Sequence, residues 1–371
     1  MKSIFKYSSI SLLLCMGAVA ISCKEEHRST STALQLSLNE NPFDVPQNVK
    51  DSIIKELPRI NRYAAADGEA FIAFVAAHEG VDAIQVIAGE ILDLLGIYLG
   101  IDGGGGSEFI YSEPGYPALV NAAASVGGVI VPVPLNSRHE NDLEAIAAKI
   151  NSRTKAIFIV NPHNPSGTAH EAQALHDFIA HVSPRALVIV DEAYLEYAGN
   201  FEERTAIRSL QNGKNVIVFR TLAKVYGLGG LAAGYAIAPV ELAKRLKEKG
   251  LGDTHALNRL SIAAAKAALS DRNNLAHVNK VITEERGKWH TFLDSLGVEH
   301  SASEANFVFF DLKKPYEEVR KALLDKGVVV GKSFASPYDT WIRISIGLPE
   351  DNVKARSAVG EVAVAPGFDV N

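Results

Sequence analysis

VIVFRTLAKVYGLGGLAAGY, residues 216–235, opens with four apolar residues and then breaks. The run VIVF has the length and β-branched content of a buried strand. A short loop follows and carries one lysine, Lys224, hemmed by Leu222, Val225 and Tyr226. Glycines come next, at 227, 229, 230 and 234. A surface turn could hold such a lysine. An apolar pocket would instead lower its pKa and make it a nucleophile. The neighbouring strands decide between the two.

Residues 186–190 (ALVIV) read as a second buried strand, ending in DEAY at 191–194. Residues 156–160 (AIFIV) read as a third, ending in NPHNPSGT at 161–168. Further strands are expected at 85–88, 108–111, 128–133 and 233–238. Helices are expected at 48–56, 68–78, 89–99, 117–125, 143–150 and 170–181. Short apolar runs alternating with amphipathic helices predict parallel βαβ units and a sheet covered on both faces. The expected fold is therefore a three-layer α/β/α domain with a mostly parallel sheet, over residues 51–250. Helices at 257–270 and 275–296, a strand at 303–311, a helix at 316–326 and strands at 328–330 and 341–346 predict a smaller α+β domain over 251–371. Residues 23–50 read as a tether and arm.

In open sheets of this kind ligands bind at the carboxyl ends of the strands. Three consecutive strand ends then bring Asn164, Asp191, Tyr194 and Lys224 to one crevice. Taken singly, each has a plain structural role: Asn-Pro makes turns, Asp caps helices and Tyr packs. Together they offer amide, carboxylate, phenol and amine to one ligand.

The chain has 371 residues, 47% of them hydrophobic, enough for a large core. Its start has another character. Lys2 and Lys6 precede a short apolar run at 11–20, SLLLCMGAVA, the pattern of a secretory signal peptide over residues 1–22. Residues 18–20 fit a small-residue cleavage site, whereas 20–23 (AISC) resemble a lipobox that would lipidate Cys23. An exported protein, periplasmic or held at a membrane by that lipid, is expected. Removing residues 1–22 takes the formal charge from −6 to −8, because Lys2 and Lys6 are its only charged residues. An acidic mature chain argues against nucleic acid as partner. Both cysteines, Cys15 and Cys23, lie at this end, so the body has no thiolate nucleophile, disulfide or cysteine metal site. The histidines show no metalloprotease spacing, and no metal is expected.

NPHNPSGT, DEAY and a lysine loop ending in GxxGY resemble the fold-type I pyridoxal-phosphate enzymes. Within them the chain is similar to the histidinol-phosphate aminotransferase branch of class I/II. The likeness runs from LNENP at 38–42 to RISIGLPEDN at 343–352. It implies pyridoxal 5'-phosphate as cofactor and a transaminase that moves an amino group between an amino acid, or an amine, and a 2-oxo acid. It implies that Lys224 forms the Schiff base and handles the substrate's α-proton. Asp191 would face the pyridine nitrogen and keep the ring an electron sink. Asn164 and Tyr194 would bond its phenolic oxygen, and Tyr116, in EPGYP, would stack on the ring. Tyr63 would reach the phosphate of a neighbouring subunit's cofactor, which implies a homodimer. Arg343 would clamp the substrate carboxylate as a bidentate guanidinium, with Asn41 also at the substrate. The same residues would serve a decarboxylase, racemase or lyase.

The departures from this pattern concern the phosphate. The family places Ser before the lysine, where this chain has Ala223. It places Arg where this chain has Ala232. Its loop before the phosphate-binding helix is about three residues longer than IAGEI at 87–91, of which Gly89 and Glu90 remain as a remnant. Arg220, Lys332 and the Tyr63 hydroxyl are the candidate replacements. A cell-surface protein that keeps the fold without catalysis is the alternative these losses suggest.

Overall fold

A computed structural model describes residues 33–364. The signal segment and the lipobox at Cys23 lie outside the described residues. Twelve strands are used below: β1 (Leu34–Gln35), β2 (Val86–Ala88), β3 (Glu108–Glu113), β4 (Val129–Pro134), β5 (Thr154–Val160), β6 (Leu187–Asp191), β7 (Val216–Thr221), β8 (Gly234–Ile237), β9 (Glu299–His300), β10 (Phe307–Asp311), β11 (Val328–Val329) and β12 (Trp341–Ser345).

Among the described residues the main sheet has seven strands in the order β2-β8-β7-β6-β5-β3-β4. The pairs from β4 to β7 are parallel, while β8 runs antiparallel to both β7 and β2. Period-two alternation divides the core between its faces. Ile157, Ile159, Val188, Val190, Val216 and Val218 join one hydrophobic cluster. Phe158, Val160, Leu187, Ile189, Ile217 and Phe219 join another. Both faces are thus covered, which is why these strands read as unbroken apolar runs.

Register then aligns the functional ends. Val160 pairs with Asp191, and Asp191 with Phe219. The residues just beyond β5, β6 and β7 therefore emerge side by side at one edge.

The helix Leu92–Asp102 flanks that edge. It lies so close to the helix Ala118–Ala124 that a Cβ on Gly96 would sit 2.3 Å from the Leu119 carbonyl oxygen. The expected start at 89 is corrected to Leu92. Gly89 has φ +114° and donates its N–H to the Gly234 carbonyl at 2.8 Å, so the chain is still extending the β2–β8 pairing there.

β10, β12 and β9 form an antiparallel sheet in the order β12-β10-β9. The N-terminal arm is sewn onto this part of the chain. β1 pairs with β11, and the Leu36 carbonyl accepts from Ser345 N at 2.9 Å. The helix Pro349–Val364 was not anticipated. Its core residues Ala355, Ala358, Val359 and Val362 do repeat at helical spacing, but their small side chains make a weak stripe.

Candidate active site

A cavity of about 600 Å³ opens at the carboxyl edge of β5, β6 and β7. Lys224, Asp191, Tyr194, Asn164, Arg343, Tyr116 and Glu90 all line it. Three expected site residues do not. Tyr63 is 84% exposed and lies outside this chain's own cavity. The Gly89 N–H is spent on Gly234 and is no anion donor. Asn41 donates to the Val225 carbonyl at 2.8 Å and accepts from Phe43 N at 2.9 Å, so it pins the loop after Lys224 rather than facing a substrate.

Lys224 is half-buried, and its Nζ reaches the Leu38 carbonyl at 3.4 Å. Burial lowers its pKa, helped by the nearby Arg343 guanidinium and opposed by Asp191, Glu40 and Glu90. A larger share of the amine is therefore neutral near pH 7 than in water. Asp191 is buried, and burial pushes its carboxyl up to about 7. One oxygen accepts from Ala193 N at 3.0 Å. Among the described residues it forms no salt bridge. A desolvated carboxylate without a cation is stabilised by a protonated ring nitrogen.

Tyr194 is buried, which raises its pKa. Its oxygen accepts from Asn39 Nδ2 at 3.2 Å and from Asn164 Nδ2 at 3.4 Å. Arg343 donates to Asn164 Oδ1 at 2.6 Å and to the Ser37 carbonyl at 2.9 Å. Its Nε is buried without a partner, and burial lowers its pKa. No carboxylate among the described residues pairs with this guanidinium, which is therefore open to a ligand's carboxylate.

The sequence reading missed Asn39, Ser37 and Thr221. Asn39 belongs to the same LNENP motif as Asn41, and only the register of the arm against β12 selects between them. Its N–H donates to Ser345 Oγ at 2.8 Å.

The wall formed by Glu90, Thr221, Ala223, Gly229 and Ala232 differs from the rest. Glu90 is exposed and accepts from Thr221 Oγ1 at 2.5 Å; desolvation by the surrounding cavity raises its pKa, opposed by that hydrogen bond and by Lys224. Arg220, a candidate replacement cation, is turned elsewhere. Its guanidinium lies 2.9 Å from Glu192, 3.5 Å from Glu196 and 3.8 Å from Glu79, and donates to Thr205 Oγ1 at 2.9 Å. Lys332 lines the cavity, but next to Arg343, whose carbonyl accepts from Gly331 N at 3.0 Å. The donor set thus fits the ring, aldehyde and phenolic oxygen of a pyridoxal cofactor. It does not fit a phosphate at the Glu90 wall.

A mostly parallel sheet with lysine, aspartate, tyrosine and asparagine at its carboxyl edge defines a fold-type I pyridoxal-phosphate enzyme. The family model for aminotransferase class I and II matches residues 31–356, and the chain belongs to that family of transaminases. Histidinol-phosphate aminotransferase 2 of Haemophilus influenzae is 31% identical over 339 residues, 91% of this chain and 92% of that protein. The Pseudomonas aeruginosa protein of the same name is 34% identical over 334 residues, 89% of each. The crystal structure of histidinol-phosphate aminotransferase from Sinorhizobium meliloti in complex with pyridoxal-5'-phosphate matches with a TM-score of 0.80 at 27% identity. It covers 89% of this chain and 90% of that one.

No group of three or more His, Cys, Asp or Glu among the described residues could hold a metal ion. None of their helices is long and apolar enough to cross a membrane.

Proposed function

We propose that the chain is an exported, homodimeric aminotransferase in which Lys224 holds the cofactor aldehyde covalently. The observation that carries this is a desolvated lysine beside a buried carboxylate that forms no salt bridge among the described residues, at adjacent strand ends. Pyridoxal phosphate, when bound, supplies a ring that withdraws electrons and stabilises negative charge on the substrate's α-carbon.

The side chains supply the rest. The Lys224 amine would take up the substrate's α-proton as general base and hold it at Nζ, which a lowered pKa favours near neutrality. Asp191 would hold a ring nitrogen in its protonated form, Tyr194 and Asn164 would hold the phenolic oxygen, and Tyr116 would cover the ring. Arg343 holds the α-carboxylate, with Asn164 and the Ser37 carbonyl fixing the plane of its guanidinium. Val160, Ala193 and Phe219 give the cavity an apolar lining that strengthens these interactions.

The relatives' names point to histidinol phosphate. The export signal read at residues 1–22 supports a different donor, an amino acid or amine met outside the cytoplasm. The wall at Ala223 and Ala232 favours the second reading, a surface protein that has kept the fold without catalysis.

Purified full-length chain mixed with pyridoxal phosphate should develop a visible absorption band, and Lys224→Ala should abolish it. Persistence of the band in that variant would remove Lys224 from the role. A band without amino transfer from any of a panel of amino acids and amines would favour the second reading.

A further inference from the structure

The Glu90 wall is the one part of the cavity whose chemistry opposes the family's cofactor. Ala223 and Ala232 offer neither hydroxyl nor charge, and the Gly89 N–H is taken by Gly234. Glu90 is exposed, and one hydrogen bond positions its carboxylate. Thr221 Oγ1 donates to its Oε1, and that oxygen sits 2.6 Å from where a Cβ on Gly234 would be. Gly234 therefore leaves room for the carboxylate, and the bare Cα lets it lie against β8. Glu90 Oε2 has no hydrogen-bond partner among the described residues.

The groups that face Glu90 are few. Lys224 is the cation that favours its ionised form, while Asp191 and Tyr116 are affected by its negative charge. Asp93 adds another carboxylate in the first turn of the helix Leu92–Asp102. A helix N-terminus favours an anion. Here two carboxylates already belong to the chain at that end. A phosphate placed against Glu90 would meet like charge, offset by Lys224 and by the uncapped first-turn N–H groups of the helix Leu92–Asp102. An uncharged hydroxyl would meet an acceptor with a free oxygen.

We propose that Glu90 makes this wall a site for an uncharged hydroxymethyl group, so that the chain binds unphosphorylated pyridoxal at least as tightly as its phosphate ester. Glu90 Oε2 accepts the hydroxyl proton, and Thr221 holds the carboxylate in position. Glu90 is then the residue that sets vitamer choice. The inference rests on the proposed placement of the ring between Asp191 and Lys224, and concerns only its far end.

The test measures equilibrium binding of pyridoxal and of pyridoxal phosphate to the full chain, by dialysis and by the shift in Tm. Wild type is compared with Glu90→Gln and Ala223→Ser, and visible spectra are recorded beside a Lys224→Ala control. Pyridoxal should bind wild type as tightly as the ester or more so. Glu90→Gln should move the preference towards the ester by about tenfold or more, the size of one charged hydrogen bond. Ala223→Ser should move it the same way by less, and it leaves Glu90 in place should Glu90→Gln fail to fold. Tighter binding of the ester by wild type overturns the inference, as does a preference that neither variant moves. Those results leave the Lys224 reading standing if the visible band still depends on Lys224. Binding of neither vitamer overturns both.

Discussion

Arg220 and Arg343 are both buried strand arginines, and their surroundings have opposite compositions. Arg220, on β7, is ringed by Glu192, Glu196 and Glu79 and stacks on Phe201 at 4.4 Å. Arg343, on β12, has an asparagine and a carbonyl as partners and no carboxylate within salt-bridge distance among the described residues. The acids show the same division. Asp191 and Glu192 are adjacent, and burial pushes both up to about 7. Glu192 forms a salt bridge with Arg220, while Asp191 faces the cavity with none, and the cation that acts on it is the more distant Lys224. Charge that is internally compensated belongs to the fold. Charge left uncompensated at the edge of a cavity waits for a ligand.

The difference can be broken first at Arg220. Arg220→Met leaves three buried carboxylates without their cation and should cost about 3–5 kcal/mol of stability. A denaturant midpoint measures it. A loss below about 1 kcal/mol would mean the cluster is not what holds β7 to its surroundings.

Asp191 gives the next effect, in the protein without cofactor. Its folded pKa lies above the ordinary carboxylate value, so between about pH 4 and pH 7 the folded state binds more protons than the unfolded chain. The stability this proton confers is present at about pH 4 and is lost as pH rises towards 7. Asp191→Asn should flatten that slope by an amount on the order of a few kcal/mol. Unfolding midpoints across the range read it, and an unchanged slope would mean Asp191 is not the group responsible.

Arg343→Met should behave oppositely to Arg220→Met. Removing a buried guanidinium that has no carboxylate partner should leave stability within about 1 kcal/mol, the lost bonds to Asn164 and Ser37 being offset by the relieved desolvation of its charge. KM for a carboxylate substrate should rise about 10- to 100-fold, the worth of one charge-assisted hydrogen bond pair. An Arg343→Met variant that unfolds while keeping KM would place Arg343 with Arg220 as a structural residue.

These contrasts show what the sequence alone could carry. The strand ends were legible because each combines a buried apolar run with a polar break, and register then had to align Val160, Asp191 and Phe219. The fold class was legible for the same reason. The partners of Arg220 were not, because Glu79 lies far from it in sequence and Glu192 and Glu196 reach it from the neighbouring strand's loop, contacts that no periodicity shows. Glu90 read as a remnant of an anion site. Its direction depends on the positive φ of Gly89 and the missing side chain of Gly234, neither visible as periodicity.

The smallest effect sharpens the comparison within one motif. Asn39 and Asn41 both lie in LNENP, and the arm's pairing with β12 turns only Asn39 towards Tyr194. Asn39 Nδ2 donates to the Tyr194 oxygen and lowers its pKa against the larger upward effect of burial. Asn39→Ala should therefore raise the Tyr194 titration further and cost about 1 kcal/mol, the net worth of one buried hydrogen bond. Asn41→Ala should leave Tyr194 where it is, because Asn41 bonds to Val225 and Phe43 instead. Tyrosine ring NMR separates the two, with Tyr194→Phe assigning the resonance. Equal shifts from both substitutions would show that the arm acts on Tyr194 as a whole and not through Asn39.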